Sequence, residues 1–188
     1  MNVRDERSGE EATVDALQRA AFHTHPDQVA ALVADLRQIV VRGEGLSLVT
    51  ELDGQIVAHL MFTQSLLDAP RELVPVQVLS PVGVLPTFQG QGIGSALIRR
   101  GLELLADRDV PLVFLEGSPL YYARFGFVPG AEHGFRKPSL RIPDPGFQAL
   151  KLPAYDDWMT GTLVYDAAFW RNDCVGLRGA RLEAALQA

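Results

Sequence analysis

The chain has 188 residues, 47% of them hydrophobic, and a formal net charge of -6. That is enough apolar content for one domain-sized core, while the acidic balance excludes a general nucleic-acid binder, whose phosphate contacts need clustered Lys and Arg. A single cysteine, Cys174, excludes an internal disulfide framework and a Cys-based zinc site, and it reads as a lone thiol rather than a nucleophile.

The first residues, MNVRDERSGEE, are charged and lack the apolar core of a signal peptide. No apolar run approaches the roughly 20 residues that cross a bilayer, so the expectation is a soluble cytoplasmic protein with neither membrane nor nucleic-acid partners. MNVRDE predicts a short first strand. Val14, Leu17 and Ala21 recur at helical spacing over residues 11 to 24. Pro26 interrupts that pattern and suits the first turn of a second helix, PDQVAALVADLRQIV. His23 and His25 flank the break; with no carboxylate cluster beside them they belong to helix ends, and no metal site is expected.

LSLVTELDGQIVAHLMFTQ holds two β-rich runs around Asp53-Gly54, a strong hairpin signal. Residues 73 to 84, LVPVQVLSPVGV, predict a further strand whose prolines at 75 and 81 require an edge, a bulge or a break in pairing. From Ile93 a helix follows, with Ile93, Leu97, Ile98, Leu102, Leu104 and Leu105 on its apolar face. VPLVFL is a continuous apolar run suited to a central strand. In EGSPLYYARFGF, Ser118 is a candidate N-cap, Pro119 a first helical residue and Gly126 a terminator. Residues 128 to 146 predict a loop, and FQALKL and GTLVYDAAF predict late strands. The expected organisation is one mixed α/β domain over residues 2 to 170, followed by a tail over 171 to 188.

Between strand and helix lies VGVLPTFQGQGIGSALI, with glycines at 90, 92 and 94. Glycine turns of this kind bind phosphate. A P-loop ends in Gly-Lys-Ser/Thr, and no lysine occurs before Lys137. A dinucleotide turn, G-x-G-x-x-G, fits Gly90 and Gly92 and has Glu116 in place of a ribose-binding acid, but Ser95 replaces the third glycine and five residues separate the strand from Gly90. The third reading is Q-x-x-G-x-G over Gln89, Gly92 and Gly94. Here backbone N–H groups and the helix N-terminus take a pyrophosphate without help from lysine. A turn serving only tight packing is the remaining alternative.

VGVLPTFQGQGIGSALI, followed in order by PLYYARFGF, resembles the acetyl-CoA and tyrosine motifs of the GNAT superfamily of N-acetyltransferases, and YYARFGF with GTLVYDAAF is similar to its YhbS-like group. The resemblance implies a central, mostly antiparallel splayed sheet flanked by helices, and acetyl-CoA as the donor substrate. Val82, Gly83 and Val84 would then meet the pantetheine arm with their backbone, and an N–H near Val84 would polarise the thioester carbonyl. Gln89, Gly90, Gln91, Gly92, Ile93, Gly94 and Ser95 would enclose the pyrophosphate. Tyr122 matches the family's general acid, a phenol that stays protonated at neutral pH and can protonate a departing thiolate. The strand over 73 to 84 carries no acid, so Glu116 is the expected base, with His59 and His133 behind it.

The implied reaction is direct attack by a primary amine on the thioester in a ternary complex, with a small molecule or peptide as acceptor. The rival from another class is a non-catalytic acyl-CoA-binding or sensing domain. The late strands are the expected place for two copies to pair as a homodimer.

Overall fold

A computed structural model describes residues 1–186 of the chain. It divides into two units, Met1–Thr63 with Leu79–Asp107, and Gln64–Val78 with the residues from Arg108 onward. Two long strands pass through both.

The first unit begins with β1 (Asn2–Asp5), α1 (Glu11–Ala21) and α2 (Pro26–Val41). α1 stops three residues short of its expected end. Pro26 cannot donate to a continuing helix and pushes His25 out of helical geometry, to φ -144 and ψ 50. β2 (Gly45–Leu52) pairs antiparallel with β1 on one side and with β3 (Gln55–Asp68) on the other. The connecting residues Asp53 and Gly54 both take positive φ, 49° and 80°, as a tight hairpin of right-handed twist requires. Residues 56 to 63 of β3 are all buried, so this segment is covered on both faces. β4 (Leu73–Val84) carries a cis Ser80–Pro81 bond and ends in the first unit. α3 (Ile93–Ala106) buries Ile93, Leu97, Ile98 and Leu105. Its Gly101 lies directly on the fully buried Phe62 ring.

The second unit adds β5 (Leu112–Glu116), the one-turn helix α4 (Pro119–Tyr122), β6 (Val128–Pro129), β7 (Phe135–Arg136), β8 (Phe147–Lys151), β9 (Gly161–Val164), α5 (Ala167–Arg171) and α6 (Ala180–Leu186). β5 is antiparallel to β8 over five residue pairs, and β8 is antiparallel to β6. The far end of β3 pairs antiparallel with β9, which runs parallel to β7. β4 and β5 run parallel but pair at two positions only, Gln77 with Val113 and Val78 with Phe114. At the centre of this unit Phe114 stacks on Phe147 at 5.7 Å and meets Phe135 edge-on at 5.1 Å. The expected mixed α/β architecture with a mostly antiparallel sheet is what the chain adopts.

Local expectations need adjusting in this unit. GTLVYDAAF is a strand only as far as Val164. Asp166 then accepts a hydrogen bond from the Ala168 N–H at 2.8 Å and starts α5, a capping signal inside an apolar run. The segment from 128 to 146 contains β6, β7 and 3-10 turns rather than loop alone. Within the expected tail, Val175 is fully buried and the Leu177 N–H donates to the Arg141 carbonyl at 2.8 Å; residues 187 and 188 lie outside the described residues.

Candidate active site

The predicted donor-binding residues all fall in the first unit. After β4, a 3-10 turn at Pro86–Phe88 leads into an exposed loop. Gly90 and Gly92 have φ of +75° and +80°, which side chains rarely adopt, and a Cβ added at either would meet nothing within 4 Å. The loop is shaped by its own glutamines: Gln89 Nε2 donates to the Val84 carbonyl at 3.0 Å, and Gln91 Nε2 to the Thr87 carbonyl at 3.1 Å. Gly92 ends the loop as the residue before α3, and no side chain caps that helix. The N–H groups of its first turn, which includes Ile93, Gly94 and Ser95, therefore face the loop with the positive end of the helix dipole. An uncapped helix start behind an open glycine turn is a geometry that can take an anion on backbone N–H groups.

Upstream on β4, Val82 and Val84 are half-buried and Gly83 is buried. A Cβ on Gly83 would lie 2.5 Å from Gln18 Oε1 and 2.9 Å from its Cδ, so a side chain there would displace the Gln18 carboxamide from its present position. Gln18 was not among the expected site residues. Its signal was present, since it lies four residues after Val14 on the buried face of α1 and is the polar member of that face.

His59, an expected alternative base, is fully buried. Its Nδ1 lies 2.6 Å from Gln18 Nε2 and its Nε2 lies 2.9 Å from Ser47 Oγ. Burial lowers its pKa, against the opposing pull of Glu6. Glu6 accepts from Arg37 at 2.8 and 3.1 Å and from Ser47 Oγ. Burial pushes the Glu6 carboxyl up, but hydrogen bonds from His59, Ser47 and Arg37 outweigh it and hold the group at about 2. His133 is exposed at the end of a 3-10 turn.

The predicted acid and base fall in the second unit, on either side of Gly117. The Gly117 Cα sits against the Tyr122 ring, where a Cβ would lie 2.9 Å from Cδ2 and closer still to Cε2. Tyr122 is packed by Tyr121, Phe125 and Phe127, with centroids 4.9, 6.2 and 5.9 Å away. That burial pushes its phenol up to about 12. Ser118 occupies the expected N-cap position of α4, but its side chain makes no capping bond. Glu116, the last residue of β5, accepts from Tyr165 Oη at 2.9 Å and from the Gly176 N–H at 2.8 Å. Burial raises its pKa, and these two hydrogen bonds oppose the rise. Gln148 donates to the Gly117 carbonyl at 2.9 Å. Burial raises the Cys174 thiol to about 11, which makes it a poor nucleophile at neutral pH. Among the described residues no group of three or more His, Cys, Asp or Glu could hold a metal ion, and no helix is long and apolar enough to cross a membrane.

The family model described as an acetyltransferase (GNAT) domain matches residues 2–130. The uncharacterized N-acetyltransferase YjhQ of Escherichia coli K12 is 36% identical over 110 residues, 58% of this chain and 61% of YjhQ, so the match spans less than two thirds of that relative. The uncharacterized N-acetyltransferase YhbS of the same strain is 32% identical over 123 residues, 65% of this chain and 71% of YhbS. Among solved structures, E. coli YhbS in complex with CoA superposes with a TM-score of 0.78 at 30% identity, covering 90% of this chain and 92% of its own. A Brucella melitensis GNAT acetyltransferase in complex with acetyl-CoA gives 0.70 at 32% identity, with 89% and 97% covered. The glycine turn, the helix it opens and the family match lead to one conclusion: the chain belongs to the GNAT family of acetyltransferases.

Proposed function

We propose that the protein is an acetyl-CoA-dependent N-acetyltransferase that passes the acetyl group directly to a primary amine, with a catalytic domain over residues 2 to 170. The observation that carries this reading is the uncapped N-terminus of α3 behind the open Gly90–Gly92 turn. It offers an anion a row of backbone donors in a chain whose relatives include proteins solved with CoA and acetyl-CoA. Acetyl-CoA supplies an activated acyl group. Gln89 to Ser95 bind its pyrophosphate, and Val82 to Val84 bind the pantetheine arm through their backbone.

Tyr122 is the general acid. Its apolar packing raises the phenol to about 12, so the proton stays on the ring at neutral pH until the thiolate sulfur takes it. Glu116 is the proton acceptor for the amine. Burial raises its basicity, while Tyr165 and Gly176 hold the carboxylate in a fixed orientation.

The test is Tyr122→Phe, which leaves the aromatic packing in place. Turnover is expected to fall roughly 10²- to 10⁴-fold, the usual contribution of general acid catalysis. Acetyl-CoA affinity by calorimetry stays within about threefold, since the change touches no phosphate contact. Undiminished turnover removes Tyr122 from the acid role.

A further inference from the structure

The first unit buries a polar chain that the transfer, as described, does not use. Arg37 of α2 holds Glu6, Ser47 of β2 bridges Glu6 to His59, and His59 of β3 meets Gln18 of α1. Gln18 and His59 are both fully buried.

Donor and acceptor chemistry sets the direction of this chain. The Glu6 carboxylate can only accept, so the Ser47 hydroxyl donates to it and Ser47 Oγ accepts from His59 Nε2–H at 2.9 Å. The neutral imidazole then offers Nδ1 as an acceptor, 2.6 Å from the Gln18 amide nitrogen. Arg37 anchors the Glu6 carboxylate that accepts the Ser47 hydrogen bond. The carboxamide of Gln18 is thereby fixed one way round, with Oε1 turned from the imidazole. That oxygen is buried and has no hydrogen-bond partner among the described residues. It lies against Gly83, where an added Cβ would sit 2.5 Å away and push the carboxamide out of this position. A buried carbonyl without a donor is costly, and a four-residue network that enforces the arrangement calls for a functional account.

We propose that Gln18 is a positioning residue for acetyl transfer: fixed by His59, its carboxamide packs against Gly83 and holds the β4 backbone that receives the thioester end of acetyl-CoA. The proposal rests on the reading of Val82 to Val84 as the donor-binding strand. Gln18 acts only through Gly83 and touches no reacting atom. Its value lies in the tolerance of the chemistry, where misplacement by about an ångström can cost on the order of a hundredfold in rate.

The test uses acetyl-CoA labelled with ¹³C at the thioester carbonyl, bound to the full-length protein, with Gln18→Met and His59→Phe as variants. Gln18→Met leaves His59 Nδ1 without a donor, and His59→Phe is larger and takes a partner from both Gln18 and Ser47, so a purely structural role predicts a lower melting temperature with the bound carbonyl resonance unchanged. The positioning role predicts calorimetric affinity within about threefold of wild type, because the pyrophosphate contacts remain. It also predicts that the bound carbonyl resonance moves most of the way to its free-ligand position in each variant. The double variant should match the singles, as expected for residues acting by one route. A resonance unchanged from wild type in either folded variant overturns the proposal. Failure of the wild-type protein to bind acetyl-CoA overturns instead the donor-binding reading beneath it.

Discussion

Ser95→Asp separates helix stability from anion binding by giving them opposite signs. Ser95 is the third residue of α3, half-buried, in a first turn that contains no acidic residue and has no side-chain cap. A carboxylate there complements the helix dipole and is worth about 0.3–1 kcal/mol of added stability. The same carboxylate shares the N-terminus with the pyrophosphate of the donor. Two unit charges 4 Å apart at the effective dielectric of a protein surface repel by about 4 kcal/mol. Even a third of that repulsion, about 1.4 kcal/mol, is a tenfold loss of affinity. Calorimetric titration with acetyl-CoA should therefore show at least a tenfold weaker complex, while the melting temperature of the free protein stays level or rises. The deficit should shrink as salt is raised. An affinity equal to wild type in a protein that melts normally would refute the placement of the pyrophosphate at this turn.

Three further outcomes follow from the packing and the charges. Gly101→Ala forces a methyl into the buried Phe62 ring, whose Cδ2 and Cζ would both lie 3.2 Å from the new atom. Overpacking of this kind costs about 1–3 kcal/mol while the better helix propensity of alanine returns about 1 kcal/mol, so the melting temperature should fall by up to roughly 8 °C, and a rise would contradict the packing. Glu6 titrates at about 4.5 when unfolded and about 2 when folded, so the unfolded chain binds the proton first. Its contribution is complete above pH 4.5 and lost as the pH falls toward 2. Glu6→Gln should flatten this limb of a denaturant-derived stability profile, and parallel profiles would count against it. Glu116→Gln should lower turnover while sparing acetyl-CoA affinity, and an unaffected rate would return Glu116 to a purely anchoring role for the Gly176 segment.

What could be read from the sequence was what is encoded locally. Asp53-Gly54 states a hairpin in two residues, and the strand, glycine turn and apolar helix from Val82 to Leu105 announce a phosphate site within one stretch. Local pattern misses the splitting of GTLVYDAAF, because Asp166 as a helix cap is hidden inside a run that reads as strand. Gln18 and His59 lie 41 positions apart, and nothing in either segment points to the other. His59 on an alternating strand reads as an alternative base behind Glu116, and its complete burial comes from cover on both faces of β3 that the strand pattern does not express. Tyr122 is proposed from a motif and Glu116 only because the strand over 73 to 84 has no acid, whereas the bonds that fix Glu116 come from Tyr165 and Gly176, 49 and 60 positions away. Pairings at such distances depend on tertiary packing that local pattern does not express.

The central claim is acetyl transfer to an amine, and the most direct test is release of CoA thiol from acetyl-CoA across a panel of primary amines, from small polyamines to lysine-containing peptides. The account predicts release that depends on the amine, with the acetyl group recovered on its nitrogen and the signal lost in Tyr122→Phe. Saturable binding of acetyl-CoA with no amine-dependent release anywhere in the panel would contradict it and mark the protein as an acyl-CoA-binding domain.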